Sequence, residues 1–235
     1  MNETIDRVLP YERNLFLALN GSDSPFLDNV MWTITGRFIW VPLILFLIYM
    51  FFHKTSWREG LLVFLFLILV VALCDQVASS IFKPLFHRFR PTHHPDFASV
   101  VSIVKGYKGG RYGFISSHAA NSFGLAVFLS LVFRQKCMVI AAFLCWAAIN
   151  SYSRIYLGVH FISDILAGIV VGALIAFLLY YLYRFLRRKI LKIPRGEWKM
   201  SQAYTSCHAS IIGYVICGYL LFVIALSPLL TQLPH

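Results

Sequence analysis

Residues 153 to 164 read SRIYLGVHFISD and gather Arg154, His160 and Asp164 into one short stretch. They stand in a chain of 235 residues that is 59% hydrophobic, with a mean hydropathy of +0.71. Ionisable groups beside hydrocarbon are costly, so the default reading of such a cluster is a functional site. His160 and Asp164 are four residues apart, which places them on one face of a helix. A carboxylate bonded to one imidazole nitrogen fixes the tautomer and leaves the other nitrogen's lone pair available for attack. Gly158 lets the chain turn between Arg154 and His160.

Two further stretches carry matching chemistry. KPLFHRFRP supplies Lys83 and Arg90, and FISSHAANS supplies Ser116, Ser117 and His118. Three cations, Lys83, Arg90 and Arg154, are redundant for a neutral substrate and suit a multiply charged oxyanion. A helix starting near Ser116 adds free N–H groups and a positive dipole end, and its two hydroxyls add donors. The set fits a phosphate group whose charge must be held during transfer. His118 can protonate a departing alkoxide and then activate water against a phosphohistidine.

The elements that must position these residues are apolar. Runs recur at 38–52, 61–74, 119–133, 137–149, 165–183 and 209–226. Each approaches the roughly 20 residues of a spanning helix only when polar residues at one end are included. The expectation is an all-α, polytopic membrane helix bundle of about six transmembrane helices, forming one domain over residues 1–235. Residues 3–20 suggest an amphipathic helix on the membrane surface. The mixed-charge start, MNETIDRVLP, lacks a cleavable apolar core.

If each run crosses once, the end of an even helix and the start of the next odd one share a side. Lys83, Arg90, His118, Arg154, His160 and Asp164 then emerge together. The opposite side receives Lys54, Arg58, Arg134, Lys136 and the cluster Arg184, Arg187, Arg188, Lys189, Lys192, Arg195 and Lys199. Basic loops mark the cytoplasmic side. The polar cluster is therefore expected to face the periplasm from a bacterial inner membrane. The net charge of +11 belongs mostly to these flanks, which argues against nucleic acid as a partner.

K-x6-RP at Lys83–Pro91, SSH at Ser116–His118 and SR-x5-H-x3-D at Ser153–Asp164 resemble the three signature motifs of the type 2 phosphatidic acid phosphatase superfamily. The resemblance implies a phosphatase needing no metal or other cofactor, acting on a membrane lipid phosphate or diphosphate through a phosphohistidine. It assigns phosphate binding to Lys83, Arg90, Ser116, Ser117 and Arg154. It gives attack to His160, orientation of that ring to Asp164, and acid–base work to His118. Ile115 stands where the second motif usually begins with proline, which removes a turn constraint but no catalytic group. Undecaprenyl diphosphate or a lipid A phosphate fits an outward site best; phosphatidylglycerol phosphate and phosphatidic acid are the other substrates considered.

Rival classes fit less well. A transporter or flippase would hold its polar groups near the bilayer midplane, whereas here they gather at helix ends. A catalytically dead scaffold would have lost a motif residue, and a vanadate-dependent haloperoxidase would normally be soluble. His87, His93 and His94 read as loop surface, and Asp75 and Gln76 as structural hydrogen-bonding groups inside a helix. Lys105, Lys108 and Arg111 read either as contacts to a substrate headgroup or as solvated loop charge. The five cysteines contain no C-x-x-C pair and read as small hydrophobes.

Overall fold

The computed structural model describes residues 9–134, 136–193 and 204–232. Among these, helices and turns account for the regular structure, beside one isolated bridge between Phe89 and Tyr112. Helix α1 is Leu9–Leu19, α2 Pro25–Thr35 and α3 Val41–Phe52. Helix α4 is Trp57–Phe86, α5 Ser117–Val132, α6 Cys137–Tyr156, α7 Ile162–Ile190 and α8 Ser206–Leu230.

Four of these, α4, α6, α7 and α8, are long and apolar enough to cross a membrane. Helices α2 and α3 make a fifth candidate, bent by 73°. The apolar run at 38–52 is thus the second half of a longer broken unit that begins at Pro25. Gly36 stops α2, and the Trp40 indole N–H donates to the Ile34 carbonyl at 3.0 Å, satisfying an end left open by the bend. Helix α5 is 16 residues long, about 24 Å at the usual rise, which is shorter than a bilayer's hydrocarbon core. Length and composition therefore give four spans, or five with the bent pair, beside the short apolar α5.

Small residues let the central helices approach. A Cβ on Gly172 of α7 would lie 2.2 Å from the Ala120 carbonyl oxygen of α5, and one on Gly168 would lie 2.7 Å from that of Ser116. On the other side of α5, a Cβ on Gly124 would meet the Cys74 sulfur of α4 at 2.9 Å. Backbone contact of this kind is the usual way helices associate where lipid offers no hydrophobic drive.

The two ends of the bundle differ. At one end Glu59, at the start of α4, is buried and accepts from Arg187 Nε at 2.8 Å and from the Tyr183 hydroxyl at 2.6 Å, both on α7. Phe51, Phe133 and Tyr204 pack there, which places Lys54, Arg58, Arg134 and Lys136 at this end. Arg195 and Lys199 of the basic cluster lie outside the described residues. At the other end the segment 87–116 folds over the tips of α4 to α7 in short 3-10 turns.

Of the helix expected over residues 3–20, the part at Leu9–Leu19 is a helix, and residues 3–8 lie outside the described residues. It does more than rest on a surface. Phe16 is fully buried between the rings of Phe97 and Phe161, while Tyr11 and Leu15 remain exposed. Asn20 ties the following turn down by copying a backbone: its Oδ1 accepts from Ser102 N–H at 2.7 Å, and its Nδ2 donates to the Tyr156 carbonyl at 2.9 Å.

Candidate active site

Each sequence motif meets the next at a helix terminus. Ser116 starts α5 by accepting the Ala119 N–H on its hydroxyl at 3.4 Å. Its own N–H donates to the Asp164 carbonyl of α7 at 3.1 Å, which ties the two helix starts together. Helix α6 carries Arg154 in its last turn, and the chain reverses at Gly158, whose φ is +73°. A Cβ there would be strained and would also meet Val101 Cγ1 at 2.6 Å. Helix α7 then begins, with Asp164 in its first turn.

Asp164 is fully buried and serves three donors. Its Oδ2 accepts from the Phe161 N–H at 3.0 Å and from His160 Nδ1–H at 3.3 Å. Its Oδ1 accepts from Arg88 Nη1 at 2.8 Å. One carboxylate thus caps the helix and sets the imidazole. The other ring nitrogen, His160 Nε2, lies 3.3 Å from Arg90 Nη1. With Nδ1 protonated, Nε2 is the acceptor in that pair, and its lone pair points to the cationic side.

That side is a cavity of about 480 Å³ walled by Lys83, Arg90, Ser117, His118, Arg154 and His160 among others. Lys83 Nζ donates to Ser117 Oγ at 2.8 Å and to Ser79 Oγ at 3.3 Å. Arg90 donates from Nε to the Tyr112 carbonyl at 3.2 Å and from Nη1 to the Val159 carbonyl at 3.3 Å. Arg154 is buried, bonded through Nη1 to the Thr35 hydroxyl and through Nη2 to the Tyr107 hydroxyl at 3.2 Å. Ser116 is not brought to the wall: its hydroxyl is buried and spent on the cap, because residue N-cap points back into its own helix. Asp164 stands behind His160 rather than in the cavity.

Electrostatics favour an anion in the cavity and a neutral imidazole at its wall. Burial, and then the charges of Arg90, Arg154 and Lys83, push the pKa of His160 well below the ordinary 6.5. Burial and the neighbouring Arg154 lower the Arg90 pKa from its usual value. Burial would raise the Tyr107 pKa, but Arg154, Arg90 and Arg37 together outweigh it and the net direction is down. Among the described residues no carboxylate is hydrogen-bonded to Lys83, Arg90 or Arg154, an arrangement that suits an anion.

Several supporting residues escaped the sequence reading. Arg88 is 1% exposed and bridges Asp164 to Glu12, with Nη2 2.6 Å from Glu12 Oε1. Glu12 also accepts from the Ser163 N–H at 2.9 Å, so α1 helps to cap α7. Arg88 is two residues from Arg90 in a loop, and Glu12 is far away in the chain; no periodicity links them. Asp75 corrects another expectation. It makes no structural hydrogen bond among the described residues and lines the cavity, while Gln76 is exposed and accepts from Ser80 at 2.9 Å. Cys74 is buried, and the other four cysteines are exposed and free.

The sequence pattern of the PAP2 superfamily matches residues 60–188. The chain belongs to that superfamily. It is 43% identical over 192 residues to the lipid A 4'-phosphatase of Porphyromonas gingivalis, covering 80% of this chain and 79% of that protein. It is 40% identical over 172 residues to the lipid A 4'-phosphatase of Bacteroides thetaiotaomicron, covering 73% and 76%. The crystal structure of a transmembrane PAP2-type phosphatidylglycerolphosphate phosphatase from Bacillus subtilis matches with a TM-score of 0.57 at 26% identity, over 81% of this chain and 89% of that one.

Proposed function

We propose that this protein removes a phosphate from lipid A, at the outer face of a bacterial inner membrane, through a phosphohistidine on His160. The observation that carries the chemistry is the fixed imidazole: Nδ1 held by Asp164, Nε2 directed at a cavity walled by Lys83, Arg90 and Arg154. The substrate assignment is supported by the two lipid A 4'-phosphatase relatives.

In this reading Lys83, Arg90, Ser117 and Arg154 hold the phosphate oxygens, aided by the first-turn N–H groups of α5. Ser116 acts through its cap, by fixing where those N–H groups point. His160 Nε2 attacks phosphorus while the P–O bond to the sugar breaks, and His118 delivers a proton to the leaving oxygen. His118, now neutral, takes a proton from water. The resulting hydroxide attacks phosphorus, the P–N bond breaks, and inorganic phosphate leaves. Asp164 keeps its proton partner on Nδ1 throughout.

The site opens at the end opposite the basic loops, which supports an outward orientation. The test is phosphate release by purified protein from lipid A, undecaprenyl diphosphate, phosphatidylglycerol phosphate and phosphatidic acid, with a strong chelator present. Release from lipid A above the other three is expected. Activity seen only after Mg2+ is added would contradict the cation-based mechanism, and indifference to lipid A would contradict the substrate.

A further inference from the structure

Below the cations the cavity changes character. Asp75 lies two turns before Lys83 on α4, toward the middle of the bundle, and shares the wall with Asn121 of α5 and Asn150 of α6. Arg37, Trp40, Val71, Leu125 and Trp146 belong both to this cavity and to a second of about 570 Å³, whose remaining wall is apolar side chains, mostly of α3 and α4. A cationic wall, polar amides with one carboxylate, and an apolar cavity thus adjoin one another.

Two groups of the polar zone have no hydrogen-bond partner among the described residues. Asn121 Oδ1 is buried without a hydrogen-bond partner. The Asp75 carboxylate has no hydrogen-bond or ion-pair partner among the described residues. Lys83 is its electrostatic neighbour but spends its ammonium hydrogen bonds on Ser79 and Ser117. An ionised carboxylate only accepts hydrogen bonds, and beside a phosphate site it opposes the anion. Its presence is useful where the ligand offers donors next to its phosphate. A buried amide oxygen left open likewise carries a cost that a donor would remove.

We infer that Asp75, Asn121 and Asn150 form a saccharide subsite, which accepts hydrogen bonds from hydroxyl and amide groups of the phosphate-bearing sugar. The inference rests on the proposed lipid A reading and deepens it. The sugar occupies the polar zone while its acyl chains continue into the apolar cavity. A diacylglycerol phosphate has ester groups there and no donors, so it leaves Asp75 unpaired. Discrimination by such groups comes from the penalty on the wrong ligand as much as from the contact with the right one.

The test separates the subsite from the identity of the lipid. Hydrolysis of an activated aryl phosphate is followed while N-acetylglucosamine 4-phosphate or inorganic phosphate competes. In the wild type the sugar phosphate should inhibit more tightly than phosphate. Asp75→Asn and Asn121→Ala should each reduce that ratio of inhibition constants, by about 10- to 100-fold for Asp75. The ratio of kcat/KM for lipid A to phosphatidic acid should fall in parallel, and thermal melting in detergent reports whether each variant is folded. Because both readouts are ratios, a general loss of activity does not mimic the effect. Tighter binding of both inhibitors by Asp75→Asn with an unchanged ratio would make Asp75 a counter-charge to Lys83 and overturn the subsite. An unchanged ratio in folded Asn121→Ala would overturn it too. A wild type that prefers the sugar phosphate yet releases nothing from lipid A would contradict the proposed function alone.

Discussion

His160 stays neutral in the fold because burial and three cations oppose its protonation. Unfolding frees it to bind a proton near its ordinary pKa of about 6.5. The unfolded state then holds more protons than the folded one, so stability from this source is constant above that pH and is lost as pH falls below it. His160→Gln removes the term. Its melting temperature in detergent, relative to the wild type, should therefore rise as pH is lowered from about 7.5 to about 5. A difference that does not vary with pH would mean that folding leaves the His160 pKa unchanged, and one that falls as pH is lowered would mean that the fold raises it. Arg88 makes the complementary case, since it is buried between Asp164 and Glu12. Arg88→Met leaves two buried carboxylates facing each other's vacated partner, a loss of about 3–5 kcal/mol by the usual cost of breaking such a pair. Chemical or thermal unfolding measures it, and a change below about 1 kcal/mol would place the pair among inconsequential ion pairs.

Helices matter here chiefly through where they begin and end. The start of α5, the end of α6 and the start of α7 deliver Ser117, Arg154 and Asp164, and the Ser116–Asp164 backbone bond locks two of them together. The closeness of α5 and α7 depends on Gly172, so Gly172→Ala should force the helices apart. A cost of about 1–3 kcal/mol is expected from overpacking, with loss of activity because His118 and Asp164 ride on the two separated elements. A fully active, equally stable Gly172→Ala protein would show that the crossing is more plastic than drawn. This scale also shows what a sequence can reveal. Lys83, Arg90, His118, Arg154, His160 and Asp164 were legible because apolar runs alternate direction, so their ends sort by parity. The bend at Gly36 was not, because Asp28 and Asn29 interrupt the apolar character of α2, which therefore forms no continuous apolar run. Pro84 is followed into the structure as widened π-helical turns at Val77–Phe82, which relieve the clash of its ring with the preceding turn. Asp75 was misread for a related reason: helical spacing gives a residue's face, but only the packed bundle shows that this face borders a cavity.

Across the whole molecule, charge separates into two ends. Glu59 and Arg187 mark one, the cationic cavity the other, and the proposed orientation puts the cavity outside the cell. In a background lacking the native cysteines, Lys108→Cys should react with an impermeant thiol reagent added to intact cells, and Lys136→Cys should not. The opposite pattern would invert the orientation and leave the chemistry standing. The central claim is that phosphate passes through His160, and a variant that stalls after the first step tests it most directly. His118→Ala, given an activated phosphate ester whose leaving group needs no proton, should complete that step and then lack its base for water. General acid–base assistance of this kind is worth about 100- to 10,000-fold. Peptide mapping after rapid quenching should find acid-labile, base-stable phosphate on His160, with a burst of leaving group before slow turnover. Equal loss on lipid and activated substrates, with no burst and no phosphate on His160, would contradict the account.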